Sequence, residues 1–135
     1  MAAPSSFTFQ KIHLSASVSG QPIHITGSAS GSATKIHTAV SGAVNMDEIW
    51  LYANNTHTAE IVLTLCWGDS GTGSNPTGGE GVKAHLATAL SASAGSYLVA
   101  PGLLLNGGHT LHAFAATVDK VNVVGYVNRI SSSLT

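Results

Sequence analysis

Charge is the property that this sequence has least of. Charged residues make up 8% and hydrophobic residues 44% of its 135 positions, whereas about 25% charged residues is usual in soluble domains. Its five basic residues stand singly, so no cluster of positive charge could follow a nucleic-acid backbone. We therefore expect no direct nucleic-acid partner. Low charge favours a surface that packs against other proteins, the alternative being a monomer solubilised by hydroxyls and amides.

Paired cysteines and long apolar runs are also missing. The single cysteine, Cys66, cannot form an internal disulfide, and its strand-like surroundings predict a small buried apolar residue. No stretch approaches the roughly 18 apolar residues of a membrane span. The opening MAAPSSFTFQ lacks the basic start and apolar run of a secretion signal. We expect a protein that folds in the cytoplasm and has no membrane partner.

What the sequence contains in abundance is alternation of apolar residues with others. Alternating segments are separated by breaks rich in Gly, Ser and Asn, which is typical of antiparallel strands joined by turns. We predict an all-β protein, a single antiparallel β-sandwich domain over residues 1–135, jelly-roll-like, with about eight or nine strands. Residues 1–20 are a candidate N-terminal arm, and residues 81–92 fit either a strand or a short helix. The predicted core comprises Ile49, Leu51, Ile61, Leu63, Leu65, Leu111, Val121, Val123 and Val127.

The strongest strand signal is DEIWLYANNTHTAEIVLTLCWGD, residues 47–69. Two runs rich in β-branched and aromatic residues flank a short polar break. This pattern predicts a central antiparallel hairpin over residues 48–67, with its turn at Asn54–Thr58. The adjacent acids Asp47 and Glu48 lead into the first strand, where successive side chains point to opposite faces.

One tetrapeptide, Gly68-Asp69-Ser70-Gly71, is similar to the sequence around the nucleophile of trypsin-like proteases, and His57 lies upstream. A serine nucleophile needs a hydrogen-bonded base, a third group that orients the base, and oxyanion donors. The chain is too short for the two barrels of that family, and a Gly/Ser-rich segment readily produces such a tetrapeptide by chance. We expect no enzymatic activity and no catalytic residue.

Histidines, seven in all, outnumber the five Lys and Arg. Their spacing does not place two ligands on one face as metal sites do, and no cofactor motif is present, so we expect neither metal nor cofactor. Five of them stand beside Ile or Leu in alternating runs and are predicted to face outward from strands: His13, His24, His37, His85 and His112. If oligomer symmetry gathers one histidine per subunit around an axis, a metal-binding or pH-sensing role remains open.

Aromatic residues in the strands allow two interpretations. Four rings with asparagines nearby could stack on and hydrogen-bond a sugar: Trp50, Tyr52, Tyr97 and Tyr126, with Asn54, Asn55 and Asn75. Alternatively the rings pack against a neighbouring sheet or subunit, as aromatic strand residues commonly do. Our candidates for such an interface are Phe7, Phe9, Trp50, Tyr52 and Tyr126.

The order of these segments resembles that of a known protein class. KIHTAVSGAVNMDEIWLYANNTHTAEIVLTLCWGD, a glycine-rich spacer and YLVAPGLLLNGGHTLHAFAATVDKVNVVGYVNRI resemble small structural proteins of tailed bacteriophages. In those proteins a DE-[VI]-[WY]-L-[WY]-A-x-N strand precedes an LTI-x-WG strand. A PGL turn and an RAFA…N-x-x-G-[FY]-V-N-R-I ending follow. The resemblance covers roughly residues 35–130, with His112 where a basic residue is frequent.

This resemblance implies a component of the virion, assembled in the host cytoplasm. We expect a capsid decoration or cement protein that acts as a homo-oligomer, a trimer or a ring, in contact with other virion proteins such as the major capsid protein. A neck or tail component is the alternative within this class. A carbohydrate-binding adsorption module is the alternative from another class.

Overall fold

The computed structural model describes residues 6–69, 84–93 and 95–132. These residues form nine strands and one 3-10 turn at Ser30–Ser32. The strands are β1 Phe7–His13, β2 Ile23–Ile25, β3 Thr34–Thr38, β4 Met46–Asn55, β5 Ile61–Asp69, β6 Ala84–Leu90, β7 Tyr97–Leu105, β8 Thr110–Ala115 and β9 Val121–Ser132. In the described residues no helix is long and apolar enough to cross a membrane.

The strands form two antiparallel sheets that pack against each other. The front sheet has the order β1-β9-β4-β7, with β2 pairing the same strand, β9, as β1 does, and the back sheet has the order β3-β8-β5-β6. Leaving β1 aside, the pairs are nested: β2 with β9, β3 with β8, β4 with β7, and β5 with β6. Nested pairs that alternate between two sheets are a jelly roll. The predicted β-sandwich and its strand number are therefore confirmed.

The core lies between the two sheets and follows the period-two pattern of the sequence. Along β4, buried and half-buried residues alternate without interruption, because successive side chains point to opposite faces of a sheet. The predicted core is confirmed: all nine of its residues are at most 1% exposed. Ile36, from the back sheet, and Leu14, which follows β1, also belong to this core.

The predicted hairpin over residues 48–67 is wrong. β4 pairs with β9 and β7 in the front sheet, whereas β5 pairs with β6 and β8 in the back sheet. The polar residues 56–60 therefore carry the chain from one sheet to the other. Two half-buried strands joined by a short polar break give the same sequence pattern whether they pair within a sheet or face each other across a core.

Asn55 fixes this crossing between the sheets. Its buried side chain donates from Nδ2 to the carbonyl oxygens of Ala59, Leu90 and Ser91 at 2.9, 3.0 and 3.2 Å, while Oδ1 accepts from the amide of His57 at 2.8 Å. Leu90 ends β6 in the back sheet. One amide side chain at the end of a front-sheet strand thus satisfies the backbone of both the connection and the opposite sheet.

The segment 81–92, which fitted either a strand or a helix, contains strand β6. β6 pairs with β5 over the register Trp67 with Ala84 to Ile61 with Leu90. Gly125 matters on the other sheet, because a methyl group at this position would overlap the carbonyl oxygen of Trp50. Glycine therefore allows β9 to lie close against β4, next to the aromatic residues described below.

Candidate functional site

The outer surface of the front sheet brings the aromatic candidates together. Trp50 and Tyr52 alternate with buried residues of β4 and so point away from the core. In register, Trp50 pairs with Tyr126 on β9, and Tyr126 pairs in turn with His13 on β1. Phe9, which precedes His13 by four residues on β1, lies opposite Ile130 of β9. We call this surface, which β1, β9, β4 and β7 share, the outer front face.

All five interface candidates, Phe7, Phe9, Trp50, Tyr52 and Tyr126, lie on the outer front face, because side chains of paired residues share a face. Five large hydrophobic side chains are exposed there: Phe7 51%, Phe9 72%, Leu98 46%, Leu104 53% and Val124 40%. Leu98 and Val124 flank Tyr52 from either side. On the outer surface of the back sheet, by contrast, the described residues contribute Val62 at 40% exposure. Of the ten large hydrophobic side chains that are exposed in the described residues, five therefore share the outer front face, whereas Val62 and Leu86 lie in the back sheet and Val18, Val44 and Val118 lie outside the strands.

Trp50 and Tyr126 form the rigid centre of the outer front face. Their ring centroids are 6.3 Å apart with an interplanar angle of 14°, and the Nζ of Lys11 lies 4.7 Å from the centroid of the Tyr126 ring. Trp50 Nε1 donates to Glu48 Oε1 at 2.7 Å, and Asn128 Nδ2 donates to the same oxygen at 3.0 Å. These two donors hold the pKa of Glu48 below its ordinary value. The indole N–H is therefore satisfied within the face, which leaves apolar ring surface for a partner.

Beside this centre lies a pocket of ≈ 390 Å³, lined by Lys11, Ile12, His13 and Tyr126. Within the described part of the chain, no carboxylate oxygen lies within salt-bridge distance of Lys11. An aromatic ring with a basic group over it could accept an acidic or a sugar-like ligand.

Of the other members of the proposed sugar site, Asn54 lies on this face, whereas Tyr97 and Asn55 do not. Tyr97 packs against the core, and its hydroxyl accepts from the amide of Ser91 at 3.3 Å. Asn55 is buried and used in the crossing, whereas Asn54 does lie on the outer front face opposite Asn122. Asn75 lies outside the described residues.

Sequence reasoning missed a buried charged cluster of His37, Asp47 and Arg129, which joins β3, β4 and β9. Asp47 is 0% exposed. It accepts from Arg129 Nε at 2.8 Å, from Arg129 Nη2 at 2.9 Å, from the Val40 amide at 3.0 Å and from His37 Nε2 at 2.8 Å. Asp47 and Glu48 do point to opposite faces, the first inward and the second outward.

The tautomer of His37 follows from its second partner. The amide of Ser15 donates to His37 Nδ1 at 3.0 Å, so the ring proton is on Nε2 and is donated to Asp47. Burial lowers the pKa of His37, and the hydrogen bond and negative charge of Asp47 oppose this shift only in part. Burial alone would raise the pKa of Asp47, but the hydrogen bonds from Arg129, His37 and Val40 outweigh it, so that this pKa lies below its ordinary value. Both ring nitrogens are engaged, which makes His37 a structural group rather than an available base.

The prediction that five histidines face outward is right for His13 and His24, which are exposed, and wrong for His37, which is buried. A bulge between Lys35 and His37 breaks the alternation of β3, so that Ile36 and His37 both face inward. His112 points to the outer side of β8, opposite Cys66 of β5, and is 0% exposed there.

Several residues named from the sequence do not form a site in the structure. In the part of the chain that the structure describes, no group of three His, Cys, Asp or Glu side chains could hold a metal ion. His57 belongs to the crossing between the sheets, where its Nδ1 accepts from the amide of Ala59 at 3.1 Å. Ser70 and the side chain of His85 lie outside the described residues. Cys66 is buried, as predicted.

No protein-family model, no curated protein sequence and no solved structure matches this chain. The outer front face and the buried cluster therefore rest on the geometry of this molecule alone. The face was accessible to sequence reasoning because aromatic residues in alternating strands show which rings share a side. The cluster was not, since it depends on a bulge and on contacts between strands distant in sequence.

Proposed function

We propose that this protein is a structural component of a tailed-bacteriophage particle, a homo-oligomer that decorates or cements the capsid. The observation that carries the proposal is the outer front face, where five exposed hydrophobic side chains surround the fixed Trp50–Tyr126 pair. The resemblance over residues 35–130 supports a role in a phage particle. The outer front face supports the formation of an oligomer.

The physical argument is that five of the ten exposed large hydrophobic side chains in the described residues share one sheet surface with the Trp50–Tyr126 pair. Contiguous exposed apolar patches on soluble domains mark interaction sites, and aromatic residues are enriched at the centres of such sites. The two charged side chains near the centre are engaged locally, Glu48 with Trp50 and Lys11 with Tyr126. A partner that covers this face would therefore meet rings and aliphatic side chains, together with the exposed ammonium group of Lys11.

Two alternatives lead to different copy numbers. A neck or tail component would close as a ring around an axis, and a carbohydrate-binding module for adsorption is favoured by the pocket next to Tyr126. Jelly rolls occur both in viral capsid proteins and in lectins, so the fold does not choose between them.

The test of the position in the particle is quantitative mass spectrometry of purified particles of the phage that encodes this protein. A decoration protein is expected at hundreds of copies, whereas a ring around an axis gives about six to twelve. Absence of the protein from purified particles would refute the proposal as a whole. A few copies, together with binding of host-surface glycan, would instead support the adsorption module.

The test of the face uses a matched pair of substitutions. Val124→Glu places a charge on the outer front face, and Val62→Glu places the same charge on the outer surface of the back sheet. Both positions are 40% exposed. Light scattering should show loss of the oligomer for Val124→Glu alone, with both variants retaining a β-sheet circular dichroism spectrum. Equal behaviour of the two variants would show that the outer front face is not the interface.

A further inference from the structure

We propose that β1 is an exchangeable strand, which leaves its own β9 and pairs in the same register with β9 of a second copy of this chain. This inference rests on the homo-oligomer proposed above and specifies how the copies are linked. It concerns the main-chain edge of the front sheet, whereas the proposed function concerns the face of that sheet.

The first observation is that β1 is attached to the molecule almost entirely through β9. Six of its seven residues are exposed and Ile12 alone is half-buried. Thr8 and Gln10, on the side opposite to Phe7 and Phe9, are exposed as well, so no back-sheet strand covers that side of β1. The described side-chain hydrogen bond of Thr8 also goes to β9, from Oγ1 to the carbonyl oxygen of Ser131 at 3.4 Å.

The second observation is that little buried surface would be lost if β1 left. Its backbone pairs with β9 from Phe7 opposite Ser132 to His13 opposite Tyr126, and all of these bonds can form again with an identical β9. Exchange of an identical element between protomers is a low-cost route to oligomers for this reason. Departure of β1 would also expose the unpaired edge of β9, and such an edge readily accepts another strand.

The third observation locates the hinge. Leu14, which directly follows β1, is 1% exposed in the core. The next two residues are fixed to β3, Ser15 through His37 Nδ1 at 3.0 Å and Ala16 through the carbonyl oxygen of Ile36 at 3.2 Å. β1 can therefore swing about the His13–Leu14 junction while Leu14 stays in the core, and Ile12 is the side chain of β1 that would leave its core contacts. An identical β9 is the occupant that fits, because it repeats the register and returns Lys11 to a Tyr126 ring.

The exchange also moves the exposed rings of β1 from one subunit to another. Phe7 and Phe9 are 51% and 72% exposed while β1 pairs with its own β9. Exchange carries both rings onto the outer front face of a second copy. Phe7 and Phe9 of one subunit would then belong to the outer front face of another subunit. The oligomer would be joined by main-chain hydrogen bonds as well as by side-chain contacts.

Disulfide trapping tests this directly. In a Cys66→Ala background, Phe9→Cys and Ile130→Cys are combined in one chain, because directly opposed residues of antiparallel strands lie about 4.5–5.5 Å apart between Cα atoms, within the range of a disulfide. Non-reducing gels of the oxidised native oligomer should show at least half of the chains in covalent dimers or larger species. A second pair of opposed residues, Thr8→Cys with Ser131→Cys, should give the same result if the first pair of substitutions impairs folding.

A mixing experiment excludes chance contacts between copies. Chains that carry only Phe9→Cys, co-expressed with size-tagged chains that carry only Ile130→Cys, should form the mixed disulfide. Asn122→Cys replaces Ile130→Cys in the control, because Asn122 pairs with His24 of β2, and this control should give no cross-link. If the double-cysteine chains run as single chains with an internal disulfide on the non-reducing gel, although light scattering shows an oligomer in solution, strand exchange is wrong. The proposed homo-oligomer would remain. A chain that is monomeric throughout would overturn both.

Discussion

Asp47 shows how much of this molecule depends on single buried polar groups. It accepts hydrogen bonds from His37, Arg129 and Val40 and is fully buried. Removing one member of a buried charged pair leaves the other charge without compensation, which destabilises proteins by about 3–5 kcal/mol. Since Arg129 keeps partial contact with water, we expect Asp47→Asn to lower the free energy of unfolding by about 3 kcal/mol, as measured by urea denaturation.

The control for this substitution is Asp119→Asn. Asp119 Oδ1 lies 3.2 Å from His24 Nε2, and both side chains are about half exposed or more, at 61% and 48%. Exposed pairs contribute about 0–1 kcal/mol, so this variant should unfold almost as the parent does. Similar losses in the two variants would contradict the assignment of a structural role to the buried cluster.

His37 and Asp47 together set the pH dependence of stability. The folded-state pKa of His37 is lowered by burial, so the unfolded chain binds the proton more readily, and stability falls as the pH drops below about 6.5. The folded-state pKa of Asp47 is lowered as well, so its contribution is present above about pH 4 and is lost on further acidification. Both groups therefore destabilise the fold in acid.

A substitution separates the two contributions. His37→Gln retains an N–H that can reach Asp47 but does not titrate, and we expect the free energy of unfolding to change less between pH 7 and pH 5 than in the parent. His24→Gln, at an exposed position, should keep the parent's slope. Urea titrations at each pH measure the difference. An unchanged slope in His37→Gln would show that another group controls this range.

At the scale of the element, the sequence predicted the strands and their buried faces better than it predicted which strands pair with each other. Alternation along β4 and β9 predicted which side chains are buried, because one face of each strand meets the core. It could not tell that β4 and β5 lie in different sheets, since each has a buried face in either arrangement. Nor could it show the bulge that turns His37 inward, because a bulge depends on the partner strand. The outer front face was predictable for the same reason as the core, while the Asp47 cluster was not.

Asn55 offers a test of the crossing between the sheets. Asn55→Ala would leave the carbonyl oxygens of Ala59, Leu90 and Ser91 without this donor, and each buried unsatisfied group costs about 1–3 kcal/mol. Because the loop can admit some water, we expect a loss of about 3 kcal/mol in thermal or urea unfolding. Asn54→Ala, one residue earlier on the outer front face, is the matched control and should cost well under 1 kcal/mol. Equal effects would mean that the crossing is held by other contacts.

At the scale of the whole molecule, assembly should depend little on ionic strength. The chain has five basic and six acidic residues, so few ion pairs can form between subunits, and exposed pairs contribute only about 0–1 kcal/mol each. Raising salt from about 0.1 M to 1 M shortens the Debye length from about 10 Å to about 3 Å. We expect the oligomer mass from light scattering to stay the same, because apolar and main-chain contacts are not screened. Dissociation in 1 M salt would show that charges between subunits hold it together.

The nested pairing of the strands has a consequence for folding during synthesis of the chain. β9 is synthesised after every strand it pairs with, and it joins β1, β2 and β4 in the front sheet. While the chain is still emerging from the ribosome, β4 has β7 on one side and an empty edge on the other. The front sheet can close only after β9 has been synthesised, because β9 lies between β4 on one side and β1 and β2 on the other. Until then the edge of β4 that β9 covers is unpaired, and an unpaired strand edge accepts a matching strand from another copy.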